Sequence, residues 1–140
     1  MTKDSFVRDL QRNYAEMKKF GIDKSNAKYF LPPYEWYNDS IAAWTKEMGI
    51  QLINYTPGTL SHADYTTTDL TNYRTSDDIM KSILNYEHSH SNGLNGFILL
   101  MHIGAGPGRT DKFFLRLNEL ITYLKQKHYQ LVRIDELLGI

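Results

Sequence analysis

A histidine closes the most apolar stretch of this 140-residue sequence, Leu99-Leu100-Met101-His102. An imidazole titrates near neutrality, so a histidine at the end of a buried strand is well placed to give or take a proton. The same position suits a half-buried histidine bonded to a backbone carbonyl, and position alone does not separate the two. A second group, Pro32-Pro33-Tyr34-Glu35-Trp36-Tyr37-Asn38, puts three aromatic rings behind a rigid double proline that fixes their direction. Rings of this kind stack on sugars. A hydrophobic staple onto the next helix accounts for Trp36 or Tyr37 but not for the whole group. His62 and Asp64 lie together in a long polar loop, and one such pair is too few ligands for a metal. His88 and His90 are two residues apart, which is not the spacing of one helix face, and they read as surface histidines. His128 stands where a helix-ending glycine would, and reads as exposed. Gly104-Ala105-Gly106-Pro107-Gly108 fits neither phosphate-binding spacing, and Pro107 removes a backbone donor. It reads as a flexible loop.

The elements that must position these groups follow from periodicity. Phe6, Leu10, Tyr14, Met17 and Phe20 predict a helix over 4–20 that Gly21 stops. Tyr29–Leu31 predicts a strand, ended by the prolines that push the preceding residue to extended geometry. Asn38 or Asp39 caps a helix to Met48, with Ile41, Trp44 and Met48 inward, and Gln51–Tyr55 follows as a strand. Residues 56–75 form a long polar loop of the kind that often carries function. Ser76 caps a helix to about His88, with Ile79, Ile83 and Tyr86 on one face. Phe97–Met101 has the all-apolar character of a central parallel strand. A helix over 111–127, a strand over 129–133 and a closing turn capped by Asp135 complete the chain. Alternating strands and helices predict an α/β fold with a parallel sheet in one domain, residues 1–140. The aromatic group, the polar loop and His102 all fall after strands, where such folds place their chemistry.

Composition narrows the function. Sixteen basic residues balance sixteen acidic ones without clustering, so a nucleic-acid or anionic-membrane footprint is not expected. With no cysteine there is no disulfide, thiolate nucleophile or cysteine-based metal site. Residues 1–14 contain no apolar signal-peptide core, and no apolar run approaches the length of a membrane span.

Three stretches, in order, resemble motifs of the NodB-type polysaccharide deacetylases. Tyr29-Phe30-Leu31-Pro32-Pro33-Tyr34 resembles the motif in which an Arg precedes Pro-Pro-Tyr, and Leu100-Met101-His102 resembles the closing Leu-x-His. The tail over 117–138 is similar to that family's last helix and strand, so the likeness covers about residues 25–138. It implies part of a distorted (β/α) barrel whose members hydrolyse N- or O-acetyl groups on carbohydrate with a divalent metal, commonly zinc. By resemblance His102 is the general acid. The Tyr34 backbone N–H helps hold the oxyanion, and its ring lines the sugar site with Glu35, Trp36, Tyr37, Asn38 and Asp64. Residues 56–69 take the place of the family's variable fourth motif. The Thr-Phe-Asp-Asp-Gly and His-x-x-x-His motifs that supply base and metal ligands are absent, Leu31 replaces an Arg and Ile103 replaces an Asp. The expectation is a C-terminal deacetylase half. It has carbohydrate as its partner and no metal or cofactor of its own, is inactive alone, and self-associates or pairs with an N-terminal half. The alternative is a non-catalytic carbohydrate-binding or interaction domain derived from that family.

Overall fold

A computed structural model describes residues 1–139, which gather into two compact units, one of residues 1–54 and one beginning at Tyr55. The first opens with α1, Lys3–Lys18. Its N-terminus is fixed reciprocally: the Ser5 N–H donates to Thr2 Oγ1 at 3.3 Å and the Thr2 N–H donates to Ser5 Oγ at 3.1 Å. This pairing satisfies donors that a helix start leaves orphaned. α1 buries Phe6 and Leu10 with Ile50, and Tyr14, Phe30, Ile41, Trp44 and Met48 pack around them. The Phe6 ring lies 5.8 Å from Phe30 and 5.7 Å from Trp44, within the range of edge-on aromatic pairs. Phe20, expected inward, is exposed: the helix ends at Lys18, and Gly21 turns the chain with a φ of +77°.

Two short strands, β1 (Tyr29–Phe30) and β2 (Gln51–Leu52), pair in parallel with Tyr29 opposite Gln51. Between them runs α2, Asp39–Glu47, capped as expected by Asn38, whose Oδ1 accepts the Ile41 N–H at 3.0 Å. Thr45 is buried beside the apolar residues of α2, its hydroxyl donating back to the Ile41 and Ala42 carbonyls at 2.9 Å. That back-bonding makes a polar side chain tolerable in a packed face.

The second unit is built on α3 (Ser76–Ser89), α4 (Leu117–Gln126) and the short α5 (Ile134–Leu138). Ile79, Met80, Ile83, Leu94, Phe113, Leu120 and Leu124 form its core. Full burial stabilises each such side chain by about 1.5–3 kcal/mol. The cap of α3 is Thr75 rather than Ser76, because Asp78 sits three residues inside and closes a capping box with it. The expected helix over 111–127 divides: a 3₁₀ turn over Phe113–Arg116 precedes α4, which buries Phe113 more deeply than Phe114. His128 takes a φ of +66° after α4, the conformation for which its helix-ending position is suited to glycine.

Of the four strands expected, two pair. Phe97–Met101 and Tyr129–Arg133 are in no ladder among the described residues. One junction survives, where the Thr56 N–H donates to the Ile98 carbonyl at 2.9 Å and the Ile98 N–H donates to Thr56 Oγ1 at 3.0 Å. A cavity of about 820 Å³ lies beside these segments, lined by Phe97, Leu99, Met101, Ile121, Leu131 and Val132 among others. Apolar sequence marks a segment for burial, but a ladder needs a neighbouring strand to supply the other half of each bond. The fold is therefore mixed α/β with one parallel pair, and no helix among the described residues is long and apolar enough to cross a membrane.

Candidate functional site

The polar loop over 56–75 is not structureless. Residues Ser61–Tyr65 form a 3₁₀ turn, and Thr59, Ser61, Asp64 and Thr66 are buried. Its hydroxyls replace the missing secondary structure. Thr66 Oγ1 donates to the Ala63 carbonyl at 2.7 Å and accepts the Arg74 N–H at 3.3 Å, while Ser82 Oγ of α3 accepts the Leu60 N–H at 2.8 Å. Such bonds let a loop carry its backbone groups into the interior, where each unpaired one is costly. Gly58 fits only because it lacks a side chain. Its φ is +122°, and a Cβ there would fall 2.4 Å from Tyr86 Cε2.

This loop brings Asp64 under His102. Asp64 Oδ1 meets His102 Nδ1 at 2.6 Å, and Oδ2 accepts the His102 backbone N–H at 2.6 Å. The carboxylate side chain is 1% exposed and the imidazole 33% exposed. A buried carboxylate is stable only where donors satisfy it, and here one residue supplies both. An ionised Asp64 accepts only, so Nδ1 carries the ring proton and Nε2 is left unprotonated in the neutral ring. Nε2 has no protein partner among the described residues. Tyr65 sets its ring edge-on to the imidazole at 5.4 Å and is half exposed. Of the two readings of His102 open from sequence, the carbonyl-bonded one is replaced by a carboxylate-bonded ring with a free second nitrogen. Asp64, expected as a sugar contact, lies beneath the ring instead of at the surface.

Beneath the next loop sits Arg109, wholly buried. Its Nη1 donates to the Thr66 carbonyl at 2.7 Å and its Nε to the Asp111 carbonyl at 2.7 Å, with the Tyr73 ring 5.3 Å from the guanidinium carbon. Asp111 in turn accepts the Ser76 N–H at the start of α3 at 2.5 Å. Partial burial pushes the Asp111 carboxyl up, but the Ser76 bonds and the nearby Arg109 and Arg116 charges together hold it below its ordinary value. The Gly-rich segment 104–108 is tied down by Lys112 Nζ, which donates to the Ala105 and Gly106 carbonyls.

In the first unit, Tyr34 and Trp36 project outward, 86% and 82% exposed, and Tyr37 is half exposed. Tyr34 and Glu35 both hold positive φ, +56° and +60°. Two adjacent non-glycine residues in that region cost about 1–2 kcal/mol each. The Glu35 carbonyl accepts Asn54 Nδ2 at 3.1 Å, which helps hold the turn. Asn38 spends its side-chain oxygen on the α2 cap. His62 is not joined to Asp64: it stacks on Tyr55 at 4.8 Å, and its Nδ1 is buried without a hydrogen-bond partner. His88 is exposed, and His90 stacks on Tyr86 at 3.7 Å.

Sequence reasoning missed Arg109, Tyr65 and the place of Asp64 against His102. The only signal for the last was an acidic residue in a loop after a strand. No set of three His, Asp or Glu among the described residues is placed to hold a metal ion, and both Asp64 oxygens are committed to His102. The donors present do not fit a resident metal. No protein-family model matches the chain, nor does any curated protein or solved structure.

Proposed function

We propose that this chain supplies the acid–base side of a carbohydrate deacetylase, as a C-terminal part of a NodB-type (β/α) barrel domain that does not act alone. The observation that carries the reading is the His102–Asp64 pair. Asp64 fixes the tautomer and would stabilise the imidazolium, while Nε2, protonated in that imidazolium, would give its proton to the departing amine or alkoxide as the C–N or C–O bond to the acyl carbon breaks, leaving the ring neutral. No step here is assigned to a metal. The motif order described from sequence supports the family, and the paired strands with interleaved helix agree with an α/β parent.

The test is binding to the chain as it stands. An acetylated chito-oligosaccharide at millimolar concentration is expected to shift the ring resonances of His102, while acetate release stays at background with or without zinc. An unmoved His102 ring overturns the acid–base reading. Metal-dependent release that His102→Ala abolishes overturns inactivity alone. The two solvent-facing rings of the first unit favour a second reading, a non-catalytic carbohydrate-binding domain. That reading predicts sugar binding lost in Trp36→Ala with no response at His102.

A further inference from the structure

We infer that Arg109 is the positioning residue of the acid–base pair, a buried clamp that joins the loop carrying Asp64 to the loop leaving His102. The inference rests on the acid–base reading above and extends it to a residue outside the pair. Thr66, whose carbonyl takes Arg109 Nη1 at 2.7 Å, lies two residues beyond Asp64. The Asp111 carbonyl, which takes Nε at 2.7 Å, belongs to the segment that descends from His102. One planar fork therefore ties its own segment, at Asp111, to a carbonyl 43 residues before Arg109, a task suited to guanidinium and not to an ammonium.

Its burial argues the same way. The Arg109 side chain has no exposed surface, and among the described residues its ion-pair partner is Asp111, with Nη2 to Oδ2 at 3.8 Å and no hydrogen bond from Nη2. Taking a guanidinium out of water costs several kcal/mol, more than one loose ion pair returns. The bonds it makes to carbonyls and the Tyr73 face are what hold it there. The consequence falls on the pair. His102 is a third exposed, so water competes for Asp64, and the 2.6 Å contacts persist only while the two loops are kept together.

The experiment is nitrogen-resolved NMR of the histidine rings in the full chain, for the native protein, Arg109→Lys and Arg109→Met. The native chain is expected to show a protected His102 Nδ1–H. Lysine keeps the charge but not the fork, so exchange of that proton should quicken about tenfold through local opening. Methionine should lose the resonance while the core methyls of Ile79, Ile83 and Leu120 keep their positions. A folded Arg109→Met with native protection overturns the proposal. If the methionine variant does not fold, the lysine variant decides, and native exchange in a native core overturns it. If neither folds, Arg109 serves folding alone and the proposal is equally lost. A native chain with no protected Nδ1–H breaks the acid–base reading itself, which separates the two failures.

Discussion

Replacing Asp64 by Asn tests the proposed role of the His102–Asp64 pair with a change of one heavy atom. The native carboxylate accepts two bonds of 2.6 Å from His102, one from the ring and one from the backbone. Asn keeps an oxygen for the backbone N–H but turns its amide N–H₂ toward Nδ1, which must then become an acceptor. The ring proton moves to Nε2. Bonds to a charged acceptor contribute about 1.5–3 kcal/mol and neutral ones about 0.5–1.5, so two weakened bonds cost about 2–3 kcal/mol. A neutral amide is cheaper to bury than a carboxylate, which leaves a net loss of about 1–2 kcal/mol. For a chain of this size that lowers the melting temperature by about 3–7 °C. Thermal unfolding gives the second number, and ring nitrogen shifts of His102 identify the protonated nitrogen. Asp64→Leu should lose more, because it leaves the buried N–H and Nδ1 with no partner, at about 1–3 kcal/mol for each. A variant Asp64→Asn as stable as the native chain, with the proton still on Nδ1, would refute the reasoning.

Three further outcomes follow from the same geometry. Gly58→Ala combines a disfavoured φ with a Cβ 2.4 Å from the Tyr86 ring, and should cost about 2–4 kcal/mol by denaturant unfolding. The Thr75 hydroxyl and N–H hold the Asp78 carboxyl below its ordinary 3.8. Because its folded value is the lower one, its support for α3 is present above 3.8 and is lost as pH falls below that. Amide exchange over Ser76–Asp78 should therefore accelerate in acid, and Asp78→Asn should remove that acid dependence. Zinc should bind weakly and without defined stoichiometry in calorimetry. One tight site would point to His62, Asp64 and His102 and contradict the donor geometry.

Helices were legible because their signals are local. Asn38 caps α2 as expected and Gly21 and Gly49 end their helices with positive φ, while the α3 cap lies at Thr75, one residue before the expected Ser76, because Asp78 answers it. The sheet was less legible for the converse reason. Phe97–Met101 reads as a strand from its own residues, yet its ladder depends on a neighbour that those residues do not specify. Among the described residues the pairing it finds is the one junction at Ile98, with Thr56.

The site divides along the same line. His102 stands out because a polar group ending an apolar run is a local anomaly. Its partner Asp64 is 38 residues away, in a loop where acidic residues are ordinary, so nothing near it in sequence marks it. Arg109 is hidden more deeply, since an arginine after Gly-Pro-Gly belongs by every compositional rule at the surface. It becomes an interior residue only because Thr66 and Asp111 turn their carbonyls toward one point. The polar loop over 56–75 then has a physical explanation that its composition alone withholds: its threonines and serines satisfy a buried backbone, and that backbone carries the carboxylate and the carbonyl on which His102 and Arg109 close. Polar residues in a loop read as solvation until their partners are known, and here those partners are the His102 ring and the Arg109 guanidinium.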